Sequence, residues 1–289
     1  MSERVGFIGL GIMGRPMSRH LLGAGFPLTV HSRSPDPVDE LVAEGAARAG
    51  SPQEVARVSD VVVTMLPDTP DVEQVLFGEA GVADGVAPGS LVIDMSTIDP
   101  AASRRFAETF GLQGVEMLDA PVSGGEKGAM EATLSIMVGG SDEAFARAMP
   151  VFDVMGAGVV HVGPSGAGQI CKACNQLVVA ATIEAVAEAL VLAERAGVDP
   201  AKVRAALLGG FAGSKILEVH GQRMLERAFD AGFRARLHRK DARIVLEAAR
   251  EAGSPVPAFE VVAAQLDRLV ESGGGELDHS ALITLLEGS

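Results

Sequence analysis

The stretch Val5-Gly6-Phe7-Ile8-Gly9-Leu10-Gly11-Ile12-Met13-Gly14 decides the fold. The run Val5 to Ile8 predicts a buried strand, and Gly9-x-Gly11-x-x-Gly14 opens a helix directly after it. In such a unit the first glycine allows a tight turn, the second lets a pyrophosphate approach the backbone, and the third permits close helix–strand packing. Phosphates then sit on free N–H groups at a helix N-terminus, where the helix dipole favours negative charge. A glycine pattern alone is a weak signal. Its position just after a strand, within a βαβ-length unit, points to dinucleotide binding rather than to a merely structural glycine-rich turn.

Further along, apolar runs alternate with helical segments: Leu28 to His31, Val61 to Leu66, Leu91 to Met95, Leu134 to Val138 and Val159 to Val162. Near-continuous apolar strands between helices predict a parallel sheet covered on both faces. The expectation for residues 1–163 is therefore an α/β domain of the Rossmann type, a doubly wound parallel sheet. After Gly163-Pro164-Ser165-Gly166 the pattern changes. Residues 168–196 read as one long helix ended by Gly197, with Val178, Val179, Ile183, Val186 and Leu190 spread over most of its circumference, so burial on several sides is expected. Asp199-Pro200 starts another helix, with Asp199 as N-cap and Pro200 in the first position. Helical segments broken at Gly209-Gly210, at Ser254-Pro255-Val256-Pro257 and at Gly273-Gly274-Gly275 fill the rest. Residues 164–289 are thus expected to form an all-helical C-terminal domain, joined to the first by the long helix.

Composition narrows the class. A chain of 289 residues, 47% hydrophobic and 21% charged, suits one large or two smaller globular domains. A formal net charge of −14 argues against a nucleic-acid partner, which needs a basic face. It also means that any cation facing an anionic ligand acts against an acidic background. No uncharged apolar run reaches the ~18 residues of a membrane span. Met1-Ser2-Glu3-Arg4 leads straight into the first strand without the pattern of a signal peptide, so no membrane partner and a cytoplasmic location are expected. Cys171-Lys172-Ala173-Cys174 holds the only two cysteines. With no second pair and no histidine at ligand spacing, they read as small apolar residues of a helix interior and not as a redox or metal site.

The end of the second strand bears on the cofactor. NAD sites place a carboxylate there to hold the ribose 2′-hydroxyl. Here the residues are His31-Ser32-Arg33-Ser34. Arg33 can pair with a 2′-phosphate and Ser32 and Ser34 can hydrogen-bond to it, which favours NADP and leaves NAD open. The alternative is that Arg33 is a solvated loop residue or stacks on adenine.

From Gly6-Phe7-Ile8-Gly9-Leu10-Gly11-Ile12-Met13-Gly14-Arg15-Pro16-Met17 onward the chain resembles the β-hydroxyacid dehydrogenases, the 3-hydroxyisobutyrate dehydrogenase family. The resemblance continues in order through Leu66-Pro67-Asp68, Asp94-Met95-Ser96-Thr97-Ile98, Asp119-Ala120-Pro121-Val122-Ser123-Gly124-Gly125, the block from Gly166 to Gln176, and Lys240-Asp241. It covers essentially the whole chain. Subgroup-like stretches run from Pro67 to Gly78, from Gly209 to Ala212, from Ile216 to Gly221 and from Leu277 to Leu282. They resemble a branch that reduces tartronate semialdehyde (2-hydroxy-3-oxopropanoate) to D-glycerate.

The resemblance implies a two-domain oxidoreductase with its site in the cleft between domains, and a small anionic aldehyde or hydroxyacid as substrate. Lys172 is the expected general acid, since a lysine in an apolar helical setting has its pKa lowered and its ammonium stabilises a developing alkoxide. Asn175 and Gln176, three and four residues on, share its helix face and orient substrate or lysine. Ser123, Gly124 and Gly125 are the expected carboxylate clamp, and Phe233 a wall of the site. Gly9, Gly11, Ile12, Met13, Gly14, Ser32, Arg33, Ser34, Leu66, Pro67, Thr97 and Lys240 are the expected cofactor residues, Thr97 near the nicotinamide. His220, His238 and His279 have no matched partner and read as packing or surface residues. Another β-hydroxyacid substrate (3-hydroxyisobutyrate, 4-hydroxybutyrate or serine) stays open, as does a dinucleotide-binding sensor, which retention of Lys172 opposes. A homodimer or homotetramer is implied by the same resemblance.

Overall fold

The computed structural model describes residues 3–288; Met1, Ser2 and Ser289, the outermost residues of the two expected domains, lie outside the described residues. Two compact units divide the chain, one ending at Lys172 and one starting at Ala173.

The first unit is built on strands β1 (Val5–Ile8), β2 (Leu28–His31), β3 (Ala47–Arg48), β4 (Val61–Thr64), β5 (Leu91–Asp94), β6 (Glu116–Asp119), β7 (Val122–Ser123), β8 (Leu134–Gly139) and β9 (Gly156–Gly163). Their order is β3-β2-β1-β4-β5-β6-β8-β7, with β9 pairing in parallel on β8. Helices α1 (Gly14–Gly23), α2 (Pro35–Ala43), α3 (Pro52–Arg57), α4 (Thr69–Phe77), α5 (Pro100–Gly111), α6 (Gly125–Met130) and α7 (Asp142–Phe152) make the connections. Because side chains alternate across a strand, one sheet face buries Val5, Phe7, Val63 and Ile93 under α1, α2 and α7. The other face buries Ile8, Val62 and Val92 under α3, α4 and α5. This is the doubly wound α/β layer architecture.

The sheet is mixed rather than wholly parallel. β8 runs antiparallel to β6 and β7. The connection from β7 to β8 holds only the six-residue α6, too short for a parallel crossover of a dozen or more residues. β3, β6 and the two-residue β7 lie outside the expected apolar runs. β3 has two residues, and β6 begins and ends on an acid.

Register aligns the strand ends. Ile8 pairs with His31 and Thr64, Thr64 with Asp94, and Asp94 with Asp119. The glycine loop, the turn after β4 and the turn after β5 therefore leave the same edge, where the order reverses between β2 and β4 around β1. In open α/β sheets this is the ligand edge.

Helix α8 (Ala167–Arg195) begins in the first unit and continues in the second. The second unit adds α9 (Pro200–Leu208), α10 (Lys215–Glu226), α11 (Ala235–Glu251), α12 (Pro257–Glu271) and α13 (Ile283–Glu287). Asp199 caps α9 by accepting the Ala201 N–H at 2.9 Å. The core packs Ile183, Val186, Ala187 and Leu190 of α8 against Leu217, Val245, Phe259 and Leu266; each large apolar side chain buried contributes about 1.5–3 kcal/mol. Val178 departs from the expected burial and is 61% exposed. Cys171 is half-buried and Cys174 exposed, so the second cysteine is not a helix-interior residue. By length and composition α8 does qualify as a membrane span, at a mean hydropathy of 1.8. Half of that window is buried, and Glu184 and Glu188 lie on the helix, so it is a core helix of the second unit.

The glycine loop has the steric logic its spacing predicts. Gly9 has φ +100°, and a Cβ there would lie 2.3 Å from the Met65 carbonyl oxygen. A Cβ on Gly14 would lie 1.9 Å from the Gly9 carbonyl oxygen, whereas Gly11 faces open space. Gly14→Ala is therefore expected to destabilise the fold by about 1–3 kcal/mol through overpacking. Gly11→Ala is expected to leave thermal stability almost unchanged while weakening dinucleotide binding. Thermal melts with and without nucleotide check both.

Candidate active site

The edge of the sheet carries the glycine loop first. No side chain caps α1 and no acid occupies its first turn. Its N–H groups therefore face outward beside Gly11, half-buried Met13 and exposed Ile12, an arrangement suited to phosphate. Ser32 is half-buried, and Arg33 and Ser34 are exposed beyond β2. Among the described residues the Arg33 guanidinium has a loose ion pair with Asp71, at 3.6 Å.

The turns after β4 and β5 are tied together by buried polar groups. The Leu66 N–H donates to Ser96 Oγ at 2.9 Å. Thr64 Oγ1 and the Ser96 N–H donate to Asp94 Oδ1 at 2.7 and 3.2 Å. Asp94 is fully buried, and its Oδ2 has no hydrogen-bond partner. Burial, reinforced by nearby Asp119, pushes its carboxyl up to about 6 against the lowering by Ser96 and Thr64. Half-buried Leu66 and Thr97 and exposed Pro67 thus sit on turns braced from beneath.

Asp119, buried at the end of β6, anchors α8. Its Oδ1 accepts the Gly166 N–H at 2.6 Å and its Oδ2 the Gln169 N–H at 2.9 Å. A carboxylate here satisfies orphan N–H groups and complements the helix dipole. Burial still raises its carboxyl above the ordinary value, outweighing the bonds from Gly166, Gln169 and Gly168. Gln169 continues the brace. Its Nε2 donates to the Ser96 carbonyl at 2.8 Å, and its Oε1 accepts the Ile98 N–H at 3.1 Å. One side chain thus clamps both sides of Thr97. Lys172 follows three residues later on the same helix face and is also buried, at 7% exposure.

Nearby, Ser123 ends β7, and Gly124 and Gly125 both have positive φ, +134° and +61°. A Cβ on Gly125 would meet nothing. Successive N–H groups in such a turn form an anion-binding concavity.

The remaining expected residues belong to the second unit. Asn175 Nδ2 donates to Gln176 Oε1 at 2.7 Å, and Gln176 Nε2 donates to Asp241 Oδ2 at 2.5 Å. Lys240 Nζ forms an ion pair with Asp241 Oδ1 at 2.8 Å. Buried Asp241 therefore joins Asn175, Gln176 and Lys240 into one network. Phe233 is half-buried and lies edge-on to His238 and His279. The three histidines expected as packing or surface residues are buried (His238, His279) or half-buried (His220), and they meet in one cluster.

Asp94, Asp119, Gln169 and Asp241 carry this architecture, although sequence reasoning assigned them no role. The available signal was a carboxylate closing a buried apolar run, as in Leu91-Val92-Ile93-Asp94 and Met117-Leu118-Asp119.

A doubly wound sheet, a glycine loop open to phosphate and a buried lysine near the start of α8 together fit a dinucleotide-dependent oxidoreductase. Residues 4–163 match the family model of the NAD binding domain of 6-phosphogluconate dehydrogenase, and residues 166–286 that of the NAD-binding domain of NADP-dependent 3-hydroxyisobutyrate dehydrogenase. The chain is 47% identical over 284 residues to 2-hydroxy-3-oxopropionate reductase of Escherichia coli, covering 98% of this chain and 97% of that one. It is 38% identical to an NAD-dependent L-serine dehydrogenase of Pseudomonas aeruginosa, covering 99% and 98%. A solved 3-hydroxyisobutyrate dehydrogenase of Mycobacterium tuberculosis with L-serine superposes at a TM-score of 0.90, with 34% identity and 99% of both chains covered. The chain belongs to the 3-hydroxyisobutyrate dehydrogenase family and is an NAD(P)-dependent β-hydroxyacid dehydrogenase.

Asp119→Asn turns an amide N–H₂ toward one of two backbone donors. It is expected to destabilise the chain by about 2–3 kcal/mol, the range for a buried charged acceptor replaced by a mismatched group. Urea denaturation at pH 7 measures the change.

Proposed function

We propose that the chain reduces tartronate semialdehyde (2-hydroxy-3-oxopropanoate) to D-glycerate with NADPH, Lys172 serving as general acid. The observation that carries the chemistry is Lys172 itself, a buried lysine three residues from the Gln169 clamp in a chain of net charge −14. The likeness to the Escherichia coli reductase over nearly the whole chain supports the substrate.

A nicotinamide dinucleotide, when bound, supplies the hydride. Lys172 holds a proton on Nζ and releases it to the aldehyde oxygen as that oxygen gains negative charge. The oxygen gains the Nζ proton, and solvent reprotonates the amine. Ser123 and the N–H groups of Gly124 and Gly125 hold the substrate carboxylate. The resemblance adds Asn175, Gln176 and Phe233 as substrate residues. Gly9, Gly11, Ile12, Met13 and Gly14 receive the phosphates, and Leu66, Pro67, Thr97 and Lys240 the nicotinamide end. Ser32, Arg33 and Ser34 receive a 2′-phosphate. What supports NADPH is the missing carboxylate after β2 and the exposed Arg33, 83% accessible and only loosely paired with Asp71. Self-association as a homodimer or homotetramer is supported by Val178, Leu192 and Phe211, large apolar residues left exposed on the second unit.

Steady-state kinetics with NADPH and NADH on a panel of small semialdehydes tests the reading. The highest kcat/KM is expected for NADPH with tartronate semialdehyde; equal or better turnover of methylmalonate semialdehyde contradicts the substrate assignment. Lys172→Ala is expected to lower kcat about 10²-fold or more, the usual size for general acid catalysis, with NADPH binding retained. Unchanged turnover contradicts the mechanism.

A further inference from the structure

The histidine cluster of the second unit has an order that its geometry imposes. His279 Nδ1 lies 2.9 Å from His238 Nδ1, and His279 Nε2 lies 3.3 Å from His220 Nε2. The other nitrogen of His220, Nδ1, faces Asp278 Oδ1 at 3.6 Å. Asp278 is buried and heavily bonded. Its Oδ2 has Arg223 Nη1 at 2.9 Å and accepts the N–H groups of Gly232 and Phe233 at 3.0 and 3.1 Å. Its Oδ1 accepts Ser280 Oγ at 2.6 Å and the Ser280 N–H at 3.1 Å.

Each imidazole–imidazole contact joins two ring nitrogens, so one must carry a hydrogen and the other a lone pair. A neutral imidazole has one of each, which leaves two possible directions for the chain. If His238 accepts from His279 Nδ1–H, then His220 donates through Nε2 and turns the Nδ1 lone pair against the Asp278 carboxylate. The opposite direction puts His220 Nδ1–H toward Asp278, His279 Nε2–H on His220 Nε2, and His238 Nδ1–H on His279 Nδ1. Only this direction places a hydrogen against the acid.

Phe233 hangs from the same acid. Besides its N–H bond to Asp278, its carbonyl accepts the His279 N–H at 3.0 Å. Its ring stands edge-on to His238 and His279, with centroids 5.7 and 5.5 Å away. Arg234 and Asp278 form an antiparallel bridge next to it.

We propose that His238, His279 and His220 form a one-directional chain of imidazole hydrogen bonds whose last ring turns its Nδ1–H toward Asp278 across 3.6 Å, and that this chain is a positioning device for Phe233 and the start of α11. It rests on the reading of Phe233 as a substrate residue. Metal ligation fits the same atoms less well, because Asp278 already meets Arg223 and four hydrogen donors. The charged and titratable groups facing His279 are Asp278, His220 and Arg223 of α10, and His238 of α11. Arg223 already balances Asp278, so an imidazolium at His279 adds an uncompensated buried charge. Burial, with His238, holds His279 well below its ordinary 6.5, against the pull of Asp278. A depressed folded-state pKa means that the clasp is intact above ~6.5 and loses stability as pH falls below it.

Long-range ¹⁵N–¹H spectra of the full chain at pH 7.5 test the proposal directly. Expected are three neutral rings, with Nδ1–H on His220 and His238 and Nε2–H on His279. Nε2–H on His220 and His238, a charged His279, or one equivalent of bound metal in the purified protein overturns it. A folded His279→Gln is expected to raise substrate KM about tenfold, the net worth of one hydrogen bond, with kcat and NADPH affinity nearly unchanged; an unmoved KM overturns the positioning role. Phe233→Ala in the same assay reports separately on the underlying reading, since an unmoved KM there shows that Phe233 is no substrate residue, whatever the spectra give.

Discussion

The carboxylate of Asp119, buried at the end of β6, is the interaction on which the proposed chemistry depends. It takes two of the leading N–H groups around the start of α8 at 2.6 and 2.9 Å. A 29-residue helix of mostly apolar composition has few polar features with which to fix its own rotation and register. The cap supplies both at one end. Gln169 then locks the first turn to the backbone around Thr97, and Lys172 follows three residues later on the same helix face. Small residues allow the contact. A Cβ on Gly139 would lie 2.6 Å from Asp119 Oδ1, and one on Gly168 2.8 Å from Oδ2.

The two halves use a related device. Each holds a buried aspartate that gathers backbone N–H groups from a segment carrying residues of the proposed site. Asp119 does so for α8, and Asp278 for the segment before α11. In a chain of net charge −14 most acids are solvated, so a buried one is informative. Burial raises Asp94 and Asp119 against their hydrogen bonds, whereas the histidine, Ser280 and backbone donors around Asp278 hold its carboxyl far below the ordinary value despite burial. The greater number of hydrogen donors on Asp278 decides the direction.

Much of the fold is legible in the sequence because burial on both sheet faces writes itself as apolar runs. β1, β4, β5 and β8 follow from such runs, β2 and the partly exposed β9 from their apolar residues without full burial, and the glycine spacing announces the turn into α1. β6 is hidden because acids sit at both of its ends, and the antiparallel direction of β8 is hidden because direction depends on connection geometry rather than composition. The proposed site is legible where chemistry is local: three glycines, a lysine on an apolar helix, two glycines after a strand. It is illegible where partners are distant in sequence. Asp119 meets Gly166 and Gln169 across 47 and 50 residues, and His220 meets His279 across 59. No spacing rule links such positions, and only the packed chain makes them neighbours.

A double-mutant cycle in kcat between Asp119→Asn and Lys172→Ala measures the central claim most directly, because a residue acting only through Lys172 has nothing left to act on once the lysine is gone. Asp119→Asn is expected to lower kcat in the parent chain and to change it hardly at all in the Lys172→Ala background. Additive losses in the double variant would contradict the account and leave Asp119 as a stabilising cap without a part in aligning the proposed acid.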